Sequence, residues 1–310
     1  MHQVHELYGT LPPLTVPVVT LGAFDGVHRG HQRVLTETVA WARELGGESV
    51  VVTFARLPKS VTRADTTPAI CPLDRRLALI EACGLDVAVV LPFDHQLSTM
   101  PAEEFVRQVL LDWIGARHVV LGHDSRFGYK ARGNLDLLRR FESEGLLSVR
   151  SPDAVLLNRL VISSTAIRDA VSSGDLELAE GLLGRPYVLS GDVVTGQSRG
   201  RTLGFPTANL QLTDQLLPPP GVYASIASHQ GQRHRALSYV GTRPTFDDSD
   251  EVSVEVYLVD DQRDLYGERL DVEFLQRLRG DLEFPTADAL VEQMHADLAL
   301  AAAVFHSHGF

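Results

Sequence analysis

Apolar positions recur on two different periods along the chain, and the change between them divides it. In the first half, contiguous apolar runs predict buried strands at 16–21 (VPVVTL), 49–54 (SVVVTF), 86–93 (DVAVVLPF) and 117–122 (RHVVLG). Helical spacing fills the gaps. Val34, Thr38, Trp41 and Leu45 recur at four-three-four intervals and stop at Gly46-Gly47, and LDRRLALIEACG closes at Gly84. Pro101 opens a segment with a stripe of Phe105, Val109 and Trp113. Short apolar strands alternating with helices predict a parallel sheet covered on both faces, with ligands beyond the carboxyl ends of its strands.

From about Arg185 the segments become short and β-rich: GDVVTG, GVYASIAS, RALSYVG, VSVEVYLVD and ERLDVEFL. Turn signals between them, such as Pro218-Pro219-Pro220-Gly221, predict an antiparallel sandwich or barrel. Leu290, Met294 and Leu298 predict a terminal helix that packs on it. The expected fold is thus an α/β, Rossmann-like domain over 1–184 and an antiparallel β-barrel domain with a C-terminal helix over 185–310.

Composition narrows the function classes. The 310 residues carry a net charge of −12, which argues against a nucleic-acid partner. No apolar run reaches the ~20 residues of a membrane helix, and no secretory signal pattern opens the chain. Cys71 and Cys83 are the only cysteines, too few for a disulfide framework, so a cytoplasmic protein is expected. Lys59 and Lys130 are the only lysines, so a phosphate clamp would use arginine, backbone amides or a metal.

One candidate site follows the first predicted strand, in TLGAFDGVHRGHQ, residues 20–32. A strand, a turn with Gly22, Gly26 and Gly30, and a helix start form a phosphate cradle with free N–H groups and a positive dipole end. His28 and His31, at i and i+3, share a face and could donate to phosphate oxygens in a transition state. A metal is the competing reading, weakened by the lack of a third nearby ligand. The P-loop and dinucleotide fingerprints are both absent.

A second candidate site is RGRTLGFPTANL, residues 199–210. In an extended segment Thr207 and Asn209 share a face, and their oxygens suit a hard cation such as Mg²⁺. Gly200 and Gly204 allow close approach of phosphate. In VSVEVYLVD, Glu255 lies opposite the apolar set of Val254, Val256 and Leu258, where a carboxylate could take a proton from an attacking hydroxyl. An Asx-capped turn and a solvated strand face explain the same residues without chemistry.

GAFDGVHRGHQ resembles the HxGH signature of the nucleotidylyltransferases, and more narrowly the start of the prokaryotic bifunctional riboflavin kinase/FAD synthetases. ISSTAIRDAVSSGDLELAEGLLGRPY is similar to that family's SSTxIR segment. GRTLGFPTANL, PPPGVYA, VGTRPTF, VEVYLVD, DLYGERLDVEF and LRGDLEF match its riboflavin kinase module in order. The resemblance implies ATP phosphate contacts at Gly22, Phe24, Asp25, Gly26, Gly30, Ser164 and Thr165, with His28, His31 and Arg168 stabilising charge. In the kinase module it implies Gly200, Arg201, Gly204 and Asn209 near ATP, Thr207 and Asn209 on Mg²⁺, and Glu255 as base. Flavin contacts are implied at Asp124, Phe127 and Arg279. The activities implied are phosphorylation of riboflavin to FMN by ATP, and adenylylation of FMN to FAD.

Two departures stand out. FARLP at 54–58 replaces the family's FDPHP, putting Ala55 and Leu57 where an acid and a histidine are expected. GHDSRFG at 122–128 puts Ser125 at an aromatic position. A kinase with a degenerate first domain, and a non-catalytic flavin- or nucleotide-binding regulator, stay open as alternatives. Tyr223, Phe246 and Tyr266 are read as barrel core in preference to flavin stacking.

Overall fold

The computed structural model describes residues 1–56, 67–195, 203–243, 251–259, 261 and 263–310. Gly200, Arg201, Leu57 and Phe246 lie outside the described residues. The chain divides into two compact units, Met1–Ala69 with Leu73–Ser164, and Ile70–Pro72 with Thr165–Phe310.

The first unit is built on a six-stranded parallel sheet in the order β1-β4-β3-β2-β5-β6. The strands are β1 (His2–Val4), β2 (Val18–Leu21), β3 (Ser49–Phe54), β4 (Val87–Leu91), β5 (His118–Val120) and β6 (Ser148–Arg150). β2, β3 and β4 are buried along their whole length, so their sequences read as continuous apolar runs. Successive side chains serve opposite faces. Val18 and Val51 pack with α1 (Arg29–Leu45) and α2 (Leu73–Ala82), while Val19, Val50 and Val52 pack against Phe105–Leu111 and α4 (Leu135–Ser143). Helix α1 ends where predicted, at Gly46 with φ 66°. The segment after Pro101 opens as α3 (Ala102–Glu104) and continues as a π-helix over Phe105–Trp113, an irregularity that four-residue spacing does not reveal. Sheet order reverses at β2, whose neighbours are β3 and β5, so the loop after β2 opens at the topological switch point. A short hairpin, β7 (Leu156–Leu157) and β8 (Leu160–Val161), precedes Ser164.

In the second unit, α5 (Ser164–Ser173, its first residue in the first unit) and α6 (Leu176–Leu183) lead into a closed antiparallel barrel. Its strand order is β10-β13-β12-β11-β14-β9. The strands are β9 (Tyr187–Val194), β10 (Thr207–Gln211), β11 (Gly221–His229), β12 (Gln232–Arg243), β13 (Glu251–Leu258) and β14 (Arg269–Arg279). Tyr223 is fully buried with its ring 5.1 Å from Phe274, and Ser225 and Ser238 share a hydrogen bond of 2.7 Å in the barrel interior. Ala224, Ile226 and Leu237 point the other way and pack against Ala301, Val304 and Phe305 of the terminal helix α7 (Ala287–Ser307). Tyr223 is core, as read from the sequence. Tyr266 is not: it is 46% exposed, on the turn between β13 and β14.

Candidate active sites

The turn after β2 is tightly specified. Gly22 N–H donates to Val52 O at 3.0 Å, and Val27 N–H donates to Phe24 O at 3.0 Å. Phe24, Gly26 and Val27 take φ values of 49°, 79° and 38°. Only glycine adopts such angles without cost, so the non-glycine positions need support from their surroundings. Phe24, Asp25 and Val27 are buried. Gln32 Nε2 holds Val27 O at 2.9 Å, and Ser164 Oγ donates to Asp25 O at 3.0 Å. That last bond brings the second serine of the SSTxIR segment onto the turn. Thr165, exposed, and Arg168, partly exposed, continue along α5.

His28 caps α1. Its Nδ1 accepts the backbone N–H of His31 at 3.2 Å, so in the neutral ring the proton sits on Nε2. The two imidazoles stack with centroids 3.5 Å apart and planes inclined by 17°. Phe24 meets His31 edge-on at 5.2 Å. Burial, then the charges of His28 and Arg76, hold the His31 pKa well below the ordinary histidine range. His31 Nδ1 is buried without a hydrogen-bond partner among the described residues. A side chain at Gly30 would press on the His28 ring at 3.1 Å and on Ile162 O at 3.4 Å, so the third glycine keeps the pair in place.

Arg76 is the residue the sequence reading missed. It is 2% exposed on α2, donating to Ala23 O at 3.0 Å and to Phe54 O. It thereby joins the start of the turn to the end of β3. The signal was present: Leu73, Arg76, Leu77 and Ile80 form one i, i+3, i+4, i+7 stripe, and an arginine in an apolar stripe marks a buried charge.

The departures from the family strings also have places. Ala55 extends the β3–β4 pairing through a bond to Leu91 O of 2.9 Å. Ser125 folds back on Gly122, whose missing Cβ would lie 2.7 Å from Ser125 Oγ. Asp124 is exposed, 3.8 Å from His123 Nδ1. Phe127 is a core residue, 5.8 Å from the Phe105 ring.

In the barrel, Asn209 pairs directly with Glu255, and Thr207 with Tyr257. Val254 and Val256 pair with Val240 and Ser238 and face the interior, so Glu255, Thr207 and Asn209 all project from the outer face. Thr207 Oγ1 donates to Glu255 Oε2 at 3.1 Å, and Asn209 is 8% exposed. Phe205 anchors the start of β10 by edge contacts with Tyr257 at 5.1 Å and His295 of α7 at 5.2 Å. Gly204, with φ 83°, supplies the turn before it. A cleft opens beside Thr207 between an apolar side formed by Val193, Val256 and Leu265 and a charged side formed by Asp261, Arg263 and Asp264, with Tyr266 on its wall. Arg279 makes a two-sided pair with the buried carboxylate of Asp297, at 3.0 Å from Nε and 2.9 Å from Nη2, and so ties β14 to α7.

A family model for FAD synthetase matches residues 13–166, and one for riboflavin kinase matches residues 183–305. The chain is 38% identical to a bifunctional riboflavin kinase/FMN adenylyltransferase of Pseudomonas fluorescens, over 98% of each chain. It is 35% identical to a protein of the same description from Haemophilus influenzae, over 99% of this chain and 100% of that one. A crystal structure from Streptococcus pneumoniae, described as a macrolide-efflux protein, is similar with a TM-score of 0.87 and 32% identity, over 97% of this chain and 99% of that one. Among the described residues no helix is long and apolar enough to cross a membrane. With both family models matched in series and full-length relatives well above 30% identity, the chain belongs to the bifunctional riboflavin kinase/FMN adenylyltransferase family.

Proposed function

We propose that this chain makes both flavin cofactors: residues 185–310 phosphorylate riboflavin to FMN with ATP, and residues 1–184 transfer AMP from a second ATP to FMN, giving FAD and pyrophosphate. The observation that carries the reading is the presence of two separate chemical constellations, the turn with His28 and His31 inside the stretch matched by the FAD synthetase model, and Thr207, Asn209 and Glu255 inside the stretch matched by the riboflavin kinase model. The family members that match along their whole length carry both activities in their names, which disfavours a kinase with a silent first domain and a non-catalytic regulator.

In the kinase, the Glu255 carboxylate accepts the proton of the ribityl terminal hydroxyl as that oxygen attacks the γ-phosphorus. The Thr207 hydroxyl orients the carboxylate through their hydrogen bond. The cleft beside Thr207 pairs apolar walls from Val193, Val256 and Leu265 with the polar groups of Asp261, Arg263 and Asp264, a mixed lining that suits a nucleotide base and its sugar. Thr207 and Asn209 offer a hydroxyl and an amide oxygen on one strand face, a hard-donor pair that fits Mg²⁺. Among the described residues no three His, Cys, Asp or Glu side chains are grouped to hold a metal, so ATP oxygens would complete the set. Bound there, Mg²⁺ supplies charge neutralisation on the phosphates.

In the adenylyltransferase, Gly22, Phe24, Asp25, Gly26 and Gly30 shape a turn whose amides and helix start receive the triphosphate. His28 Nε2–H and the His31 imidazole donate to phosphate oxygens where charge builds as pyrophosphate leaves, with Ser164, Thr165 and Arg168 as further donors. Asp124 lies on the loop assigned to flavin contact, and Phe127 fixes that loop to the core. Arg279 acts on the flavin side of the kinase while anchored by Asp297. The reading places the enzyme in the cytoplasm, with riboflavin, FMN, FAD and ATP as its partners. Incubation with riboflavin, ATP and Mg²⁺, with flavins separated over time, is expected to show FMN first and FAD later. FMN accumulating alone would refute the second half of the proposal.

A further inference from the structure

Tyr239 lies where three elements of the kinase unit meet. On β12 it is the direct cross-strand partner of Glu255, so both side chains leave the outer face of the barrel together. Residues so paired have Cβ atoms about 4.5–5.5 Å apart. Its phenol donates to Asp281 Oδ1 at 3.1 Å, two residues beyond Arg279. The ring lies flat along the strand over Gly241, where any side chain would overlap it. Arg279 is committed to Asp297, which leaves Asp281 to Tyr239 and the Leu282 N–H.

The phenol proton is held firmly. Burial first, then the Asp281 hydrogen bond and the charges of Asp281 and Glu255, push the Tyr239 pKa up to about 12, with Arg279 opposing. A phenol that gives its proton to Asp281 presents its oxygen as an acceptor. Riboflavin carries hydroxyl donors along its ribityl chain. Glu255 has two direct cross-strand partners, Asn209 and Tyr239; with Asn209 assigned to the Mg²⁺–ATP side, a ribityl chain that brings its terminal hydroxyl to Glu255 passes Tyr239.

We propose that Tyr239 is a substrate-positioning residue of the kinase, accepting a hydrogen bond from a ribityl hydroxyl and so aiming the terminal hydroxyl at Glu255. The assignment rests on the kinase reading above. Tyr239→Phe keeps the ring over Gly241 and removes the acceptor. Riboflavin phosphorylation is measured beside inhibition by lumiflavin, which has the flavin ring without the ribityl chain. The KM for riboflavin is expected to rise about twofold to tenfold, the value of one net hydrogen bond. The KM for ATP, the lumiflavin inhibition constant and FAD formation from supplied FMN stay unchanged. Asp281→Ala, which frees the phenol, is expected to give a smaller rise of the same pattern. An unchanged riboflavin KM in Tyr239→Phe, or a parallel loss of lumiflavin binding, overturns the assignment. A wild-type chain that forms no FMN would instead overturn the kinase reading itself.

Discussion

Between residues 22 and 31 the chain leaves a parallel strand through a turn in which Phe24, Gly26 and Val27 all take positive φ. At Thr207–Gln211 and Glu251–Leu258 it stays in regular antiparallel strands. The first site rests on a backbone device: in the proposed reading, amides and a helix start join the two imidazoles as donors, and the turn's geometry is costly unless other residues hold it. Arg76, Gln32 and Ser164 do so through the carbonyls of Ala23, Val27 and Asp25. The second is a side-chain device set by register. Asn209 opposes Glu255, and a slip of either strand by one residue would turn its member of the pair into the barrel. The turn site is therefore sensitive to residues that touch no substrate. The sheet site is sensitive chiefly to the side chains on its face.

The contrast breaks most sharply at Glu255. Glu255→Gln preserves the strand and the size of the side chain but removes the proposed base. Loss of FMN formation by about 10²–10⁴-fold is expected. FAD formation from supplied FMN should remain. If both reactions fall together in folded protein, the two sites do not divide the chemistry as proposed.

The paired change His28→Ala with His31→Ala tests the other side. Removing fixed donors from such a site costs about 10²–10³-fold in rate. Here it also removes the side-chain cap of α1, worth about 1 kcal/mol, so thermal unfolding should show a lower midpoint. FMN formation should persist. Retained FAD synthesis would show that backbone amides alone carry the phosphate chemistry.

How far each site could be read in advance follows the same division. The period-2 alternation of VSVEVYLVD puts Glu255 opposite the valines, and the barrel keeps it there. Its pairing with Asn209, 46 positions away along the chain, depends on which strands become neighbours, which local pattern does not encode. In the first unit, Val34, Thr38, Trp41 and Leu45 describe α1 because its buried face follows a helical period. β1 was invisible: three residues, mostly polar and exposed, find a partner only at the edge of a sheet built by later strands. The histidines were legible as a motif, but their stacking and the cap that fixes the His28 tautomer are properties of the folded turn. Arg76 was overlooked because its neighbour Arg75 makes the pair look solvated, although only Arg76 falls on the apolar stripe.

The smallest effect expected is also the one that best sharpens the contrast. His31 is held neutral mainly by burial, with His28 and Arg76 adding to the depression. Its pKa in the folded protein thus lies below its value in the open chain, and the imidazole stays uncharged until the pH has fallen well below the ordinary histidine range. Protonating it would place charge against the His28 ring stacked 3.5 Å away and against the Arg76 guanidinium. Arg76→Met removes one positive neighbour while leaving the helix and most of the burial. The His31 pKa should then move upward, part of the way back to the ordinary value, because burial remains. The acid limb of kcat/KM for FAD formation should move to higher pH in the same direction, since that profile reports groups of the free enzyme. The acid limb for riboflavin phosphorylation should not move, because its proposed residues belong to the other unit. A uniform fall in FAD formation with no displacement of the limb would mean that Arg76 only holds the carbonyls of Ala23 and Phe54, and that the turn site depends on remote residues for its shape but not for the charge state of its imidazoles.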